Sequence, residues 1–197
     1  MNKSYTIEIA PLILQPLFRA SEARQHGIHP SRLSYYVKIH LIERIGRGVY
    51  RGVNAKVDTI FQWEDLVLIV NSVPNGVVGL VSALALYGLT DEIPRAHWIV
   101  IPHATTAPKR ENANFVRMRD VATGKTKMKL GKETIQIFDR ERTIVDAFRY
   151  LGKEIAIKAL KSSLKFNDER KIDLQKLQRY AKKFKIDLST YIFAITT

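Results

Sequence analysis

The 197 residues carry 32 Lys plus Arg against 19 Asp plus Glu, a net charge of +13, and no cysteine. The lack of cysteine excludes disulfides, thiolate zinc sites and a thiol nucleophile. Hydrophobic residues make up 46%, enough for a folded chain of one medium domain or two small ones.

The longest mainly apolar run, Val77 to Leu89, is shorter than the roughly 20 residues that span a bilayer and is broken by Gly79 and Ser82. No N-terminal signal pattern is evident, so a cytoplasmic protein with no membrane partner is expected. The charge is uneven. Residues 1–60 are net +5, residues 61–104 net −3, residues 105–135 net +5 and residues 136–197 net +6. A positive field at both ends favours polyanions. Charge alone does not separate that reading from lysine that only keeps the protein soluble.

Along the chain, "PLFRASEARQHGI" predicts a short helix opening near Ala20-Ser21 and ended by Gly27. In "HPSRLSYYVKIH", Pro30 suits a first helical position and His29 a cap. At 100° per residue Leu33, Tyr36, Val37 and His40 share one side; Ser31, Ser34, Tyr35 and Lys38 share the other, with Arg32 at the flank. Two short helices across a glycine turn fit a helix-turn-helix. In "LIERIGRGVYRG" two alternating segments flank Gly46 and Gly48, which predicts a tight hairpin. A hairpin directly after a recognition-type helix is a wing.

The next stretch, "DTIFQWEDLVLIVNSV", predicts a helix from Asp58 or Thr59, with Ile60, Trp63, Val67 and Val70 inside and Glu64 and Asp65 in its first half. Pro74-Asn75-Gly76 is a turn. "GLVSALALYGL" is apolar nearly all round and predicts a buried helix ending at Gly88. The pattern then changes to strands: "AHWIVIP", "NFVRMRD" and "ETIQIFD", separated by the basic, glycine-punctuated "TGKTKMKLGK". Asp139 can cap "RERTIVDAFRYLG", with Ile144, Phe148 and Leu151 inward. Two more amphipathic helices are expected near 154–165 and 174–184, with Lys158, Lys161, Lys165, Lys176, Arg179 and Lys183 outward. The expected architecture is α+β: a winged helix-turn-helix over 1–56, then a mixed α+β domain over 57–197.

A helix fits the major groove, where side chains of its N-terminal half reach base edges. Ser31, Arg32, Ser34 and Tyr35 are the candidates, and Lys38 can reach a phosphate. Arg47 at the hairpin tip can enter the minor groove, where negative potential favours arginine. Arg44 and Arg51 bracket it for phosphates, and Val49 and Tyr50 anchor the hairpin to the core of the small domain. A winged helix that binds protein, or a hairpin that is merely solvated, is the alternative. Lys125, Lys127, Lys129, Lys158, Lys161 and Lys165 form a candidate second basic surface for DNA.

Asp139, Glu141 and Asp146 lie close enough to suggest a metal-dependent nucleic-acid enzyme. The structural alternative is stronger. Asp139 suits a cap, Glu141 the first turn, and Asp146 an ion pair with Arg142 one turn back. His97 and His103, six residues apart, lack supporting metal ligands, and His26 and His40 read as capping or core residues. There is no phosphate-binding loop, dinucleotide fingerprint or serine elbow, so neither cofactor nor metal is expected. A ligand-sensing repressor with an apolar C-terminal pocket stays open as an alternative.

"FRASEARQHGI" followed by "LIERIGRGVYRG" resembles the N-terminal winged helix-turn-helix of AbiEi-type antitoxins of type IV toxin–antitoxin, or abortive phage infection, systems. "SALALYGLTDEIPRAHWIVIP", "RERTIVDAFRYLG" and "AIKALK" are similar to that family's later segments, so the resemblance spans roughly residues 17–165. It implies a non-enzymatic autorepressor that binds double-stranded operator DNA at inverted repeats. It also implies a C-terminal domain that counters a nucleotidyltransferase-like toxin without a stable complex. Carried over by position, the recognition helix holds Ser31, Arg32, Ser34, Tyr35 and Lys38, and the wing Arg47, Tyr50 and Arg51. One departure is Pro11 and Pro16, where the family has a regular first helix; a short or displaced first helix is expected here.

Overall fold

The computed structural model describes residues 3–57, 61–92, 94–110, 112–166, 168 and 170–196. The protein is a mixed α+β chain of two compact units, Met1–Pro74 with Lys129–Glu133 and Asn75–Met128 with Thr134–Thr197.

The first unit opens with helix α1 (Lys3–Ile13). Pro11 lies in its last turn, where one ladder bond is forfeited, and Pro16 lies beyond it. Then come strand β1 (Phe18–Arg19), helices α2 (Ala20–Gln25) and α3 (Pro30–Lys38), and strands β2 (Ile42–Gly46) and β3 (Val49–Gly52). Gly27, at φ 76, turns α2 into α3 as the sequence predicts. His29 caps α3: its Nδ1 accepts from the Ser31 amide at 3.3 Å, and Pro30 starts the helix. The three strands form an antiparallel sheet of order β1-β3-β2.

Ile9, Leu12, Phe18, Ala23, Ile28, Leu33, Tyr36, Ile42 and Tyr50 form one buried core under these elements. A 3₁₀ turn (Phe61–Trp63) leads into α4 (Glu64–Ser72), whose Leu66 to Val70 are all buried. The helix start expected at Asp58 or Thr59, and Ile60, fall outside the described residues.

The second unit, with residues 129–133 counted in the first, has most of a five-stranded sheet of order β6-β5-β4-β8-β7. Its strands are β4 (Val77–Val78), β5 (His97–Pro102), β6 (Ala113–Met118), β7 (Lys125–Leu130) and β8 (Glu133–Phe138). Helices α5 (Leu80–Leu86), α6 (Arg140–Tyr150), α7 (Lys153–Leu164), α8 (Leu174–Lys183) and α9 (Ser189–Thr196) accompany it. The entry to α5 is tight. A Cβ on Gly79 would lie 2.8 Å from the Val100 side chain, and buried Leu80 sits at φ 51. Leu84, Leu89, Ile144, Val145, Ala156, Leu160 and Leu177 are among the buried residues that join the helices.

Besides the two-residue β1, three further elements were not legible as such. The basic "TGKTKMKLGK" contains strand β7, a two-residue β4 precedes α5, and α9 follows the last predicted helix. In β7 lysine occupies alternate exposed positions while Met128 is half-buried and Leu130 buried. An edge strand tolerates that charge, and is kept from pairing with other chains by it.

Candidate nucleic-acid interface

Helix α3 turns Leu33 and Tyr36 into the core and leaves Ser31, Ser34, Tyr35 and Lys38 exposed. Val37 is half-buried, but His40 is not core: it is exposed, at φ 54, in the turn after the helix. His26 is likewise exposed, closing α2. Tyr35 is 51% exposed beside the buried Tyr36, at a ring distance of 5.9 Å. Ser31, Arg32, Tyr35 and Tyr36 line a concavity of about 370 Å³. Arg32 differs from its neighbours: it is half-buried and ion-paired with Glu8 of α1. That pair holds α3 against α1, a contact that spacing within the helix does not reveal.

The hairpin stands where β1 and α2 brace it. The Ala20 amide donates to the Gly48 carbonyl at 2.9 Å, and Phe18 and Arg19 pair with Tyr50 and Val49. Gly48 takes φ 69, which the tight return requires. A register shift between Arg44 and Gly46 marks a bulge that bends the tip. Arg47 is exposed at that tip. Arg44 is exposed and its Nε donates to the Gly46 carbonyl at 3.2 Å. Arg51 is half-buried and pairs with Glu43 on the facing strand at 2.8 Å.

Tyr50 requires a correction. It is 9% exposed and stacked on Phe18 at 5.8 Å, so its ring belongs to the core and anchors the hairpin. The exposed set is therefore Ser31, Ser34, Tyr35, Lys38, Arg44 and Arg47, with Arg32 and Arg51 at its edge.

The second basic surface is less uniform than its sequence. Lys125, Lys127 and Lys129 are exposed on β7. Lys158, Lys161 and Lys165 share one side of α7 and, with Ser162, line a groove of about 710 Å³ facing Gly88 to Glu92. Asp91 and Glu92 put negative charge on the opposite wall. Lys158 also pairs with Glu154 at 2.8 Å, and that carboxylate, with Glu92 and Asp91 behind it, raises the lysine pKa.

Each of the three suspected carboxylates is engaged by a structural partner. Asp139 caps α6 by accepting from the Arg142 amide at 2.8 Å, and takes further bonds from Lys176 at 3.0 Å and Tyr180 at 3.1 Å. Glu141 accepts from the Asp173 amide at 2.8 Å and pairs with Lys176 at 3.1 Å. Lys176 is thus half-buried between two carboxylates rather than simply outward. Burial opposes its charge, yet Asp139 and Glu141 prevail and raise its pKa.

Asp146, 1% exposed, accepts from Arg142 at 2.8 Å and Arg149 at 2.6 Å. His97 and His103 fall at opposite ends of β5. Among the described residues no group of three or more His, Cys, Asp or Glu side chains is placed to hold a metal. Among them, too, no helix is long and apolar enough to cross a membrane.

The residue that sequence reasoning undervalued is Arg142. It is fully buried, and its guanidinium donates to the carbonyls of Thr123 at 2.8 Å and Asp120 at 2.9 Å as well as to Asp146. Asp120 itself is held well below the usual carboxylate range. Burial works against its charge, but Lys183, the Thr123 amide and hydroxyl, and the Ala122 amide outweigh it.

Residues 9–51 match a family model described as a transcriptional regulator, AbiEi antitoxin. That segment contains α3 and the hairpin. No curated protein matches the chain. A solved structure, the crystal structure of RV2827C protein from Mycobacterium tuberculosis, is similar with a TM-score of 0.60 at 13% identity, over 91% of this chain and 71% of that one. At that identity the likeness concerns the fold alone.

Proposed function

We propose that the protein is a DNA-binding autorepressor and the antitoxin of a type IV toxin–antitoxin system. The observation that carries this reading is the pairing of one exposed polar helix face, on α3, with an exposed arginine at the tip of a braced hairpin, inside the segment that matches the antitoxin and regulator family. Residues 20–52 act in it as a winged helix-turn-helix. Ser31, Ser34 and Tyr35 meet base edges in the major groove, Lys38 and Arg44 meet phosphates, and Arg47 enters the adjoining minor groove. Arg51 and Tyr50 hold the wing in shape. Operator occlusion then represses the operon.

The functional partner is a nucleotidyltransferase-like toxin, countered by the second unit without a stable complex. The lysines of β7 and α7 are its candidate surface. A gel-shift titration on the upstream region of the protein's own operon tests the DNA part. Arg47→Ala is expected to weaken binding at least about tenfold, the loss of one good groove contact, with an unchanged circular-dichroism melt. Unchanged affinity would remove the wing from the interface. The antitoxin part is tested by co-expression with the adjacent reading frame.

A further inference from the structure

A second basic surface, away from the α7 groove, lies where α6 and α8 end. Phe184, which closes α8, has two guanidiniums close to its ring. Arg142 stands 4.1 Å and Arg149 4.4 Å from its ring centroid. Both arginines also bind Asp146, so that carboxylate is neutralised inside the unit. Arg149 continues outward to Tyr150: its guanidinium is 4.9 Å from the ring centroid, and Nη2 donates to the phenol oxygen at 3.4 Å. Tyr150 is 43% exposed.

On the other side of Phe184, Lys183 donates to Thr123 at 2.5 Å and pairs with Asp120 at 2.9 Å. Arg179, one turn back on α8, and Lys185 beyond its end are exposed. Asp146 and Asp120 are thus answered by Arg142, Arg149 and Lys183, Asp187 caps the Ser189 amide at 2.9 Å, and Arg179 and Lys185 add to the positive side.

Folding accounts for the buried Arg142 and for its contact with Phe184. It does not account for a tyrosine ring left in water at the end of α6 beside a guanidinium already fixed in place. A surface that only keeps the chain soluble gains nothing from that ring. Cations that track a backbone, with an aromatic face beside them, are the chemistry of unpaired nucleotides. A duplex hides its base faces in the stack and offers such a surface phosphates only. Because Arg149 is held by Asp146, ordering it costs little when a ligand arrives.

We infer that this surface binds an unpaired nucleic-acid strand, with one base stacked on Tyr150 and the backbone phosphates met by Arg179 and Lys185. The site does not depend on the helix–hairpin face of the first unit. It would let one protein hold duplex DNA and single strands on different surfaces. RNA and single-stranded DNA share this chemistry and differ by the 2′-hydroxyl.

The test is fluorescence anisotropy with the full chain and three probes of roughly 12 nucleotides or base pairs, a length within single-strand site sizes: oligo-uridine RNA, oligo-thymidine DNA and a mixed-sequence duplex. At least one single strand should bind, the tighter of the two identifies the strand, and duplex binding should not change in the Tyr150 variants. Tyr150→Ala should weaken it about five- to a hundredfold, the range for one lost base–aromatic stack. Tyr150→Phe should bind like the parent. The double variant Arg179→Gln, Lys185→Gln should lower the salt slope by about 1.4, as two single-strand phosphate contacts require. Arg47→Ala should leave strand binding unchanged, so failure here and failure of the autorepressor reading are separable. Equal strand binding by Tyr150→Ala, or no binding of either strand, would overturn the proposal.

Discussion

Arg142 shows how much one side chain can carry in this protein. It has no exposure, four polar partners counting sulfur, and aromatic rings at 4.4 Å and 4.1 Å on Phe138 and Phe184. One partner, Asp146, was legible as an i,i+4 pair; the others come from the loop after β6 and from the end of α8. Gly124 shows how close that loop lies: a Cβ there would stand 2.6 Å from the Arg142 Cβ. Arg142→Met would keep the bulk but leave Asp146 buried with Arg149 alone. Breaking a buried pair in that way costs about 3–5 kcal/mol. Urea unfolding followed by circular dichroism would measure it, and a loss under about 1 kcal/mol, the worth of a surface pair, would mean that solvent reaches Asp146 after all. Arg32 makes the converse point. A helix wheel assigns it to the flank of α3, and only the approach of α1 supplies Glu8 as its partner.

Among the elements, the hairpin is the one whose geometry depends most on its neighbours. Its two strands and tip glycines were readable from alternation and from the turn. Its bracing by β1 was not, because a two-residue strand carries no periodicity. The end of β3 is equally constrained. A Cβ on Gly52 would lie 1.8 Å from the Ile13 carbonyl oxygen, a backbone atom that cannot swing away. Gly52→Ala should therefore cost about 1–3 kcal/mol through overpacking, or a fall of roughly 10 °C in Tm for a unit of this size. Gly152→Ala is the control, since a Cβ there meets nothing within 4 Å. Equal melting temperatures for the two variants would show that α1 does not rest on β3. The end of α6 carries the same lesson for binding, because Tyr150 is presented outward by a helix whose other residues are mostly buried.

For the whole molecule, the uneven charge has a structural reason. The acidic, apolar middle of the sequence, residues 61–104, becomes α4, β4, α5 and β5, which are largely buried. Buried elements exclude charge, so the cations collect on what precedes and follows. Operator binding should then depend steeply on salt. If roughly 6 phosphates are neutralised, affinity should fall about a thousandfold between 50 and 200 mM. A flat response in the same titration would mean that contacts other than ion pairs dominate.

The sequence by itself determined the order of most elements, the His29–Pro30 start of α3, the Asp139 cap, the glycines of the hairpin and the faces of α3. These are decided by contacts within a few residues, where period and backbone preference act. Tertiary structure alone decided that Arg32 and Lys176 are engaged, that the α7 lysines face Asp91 and Glu92, and that Arg149 meets Phe184 at the end of α8. Each of those depends on a partner distant in sequence, and a charged or aromatic side chain takes its role from what the fold brings against it.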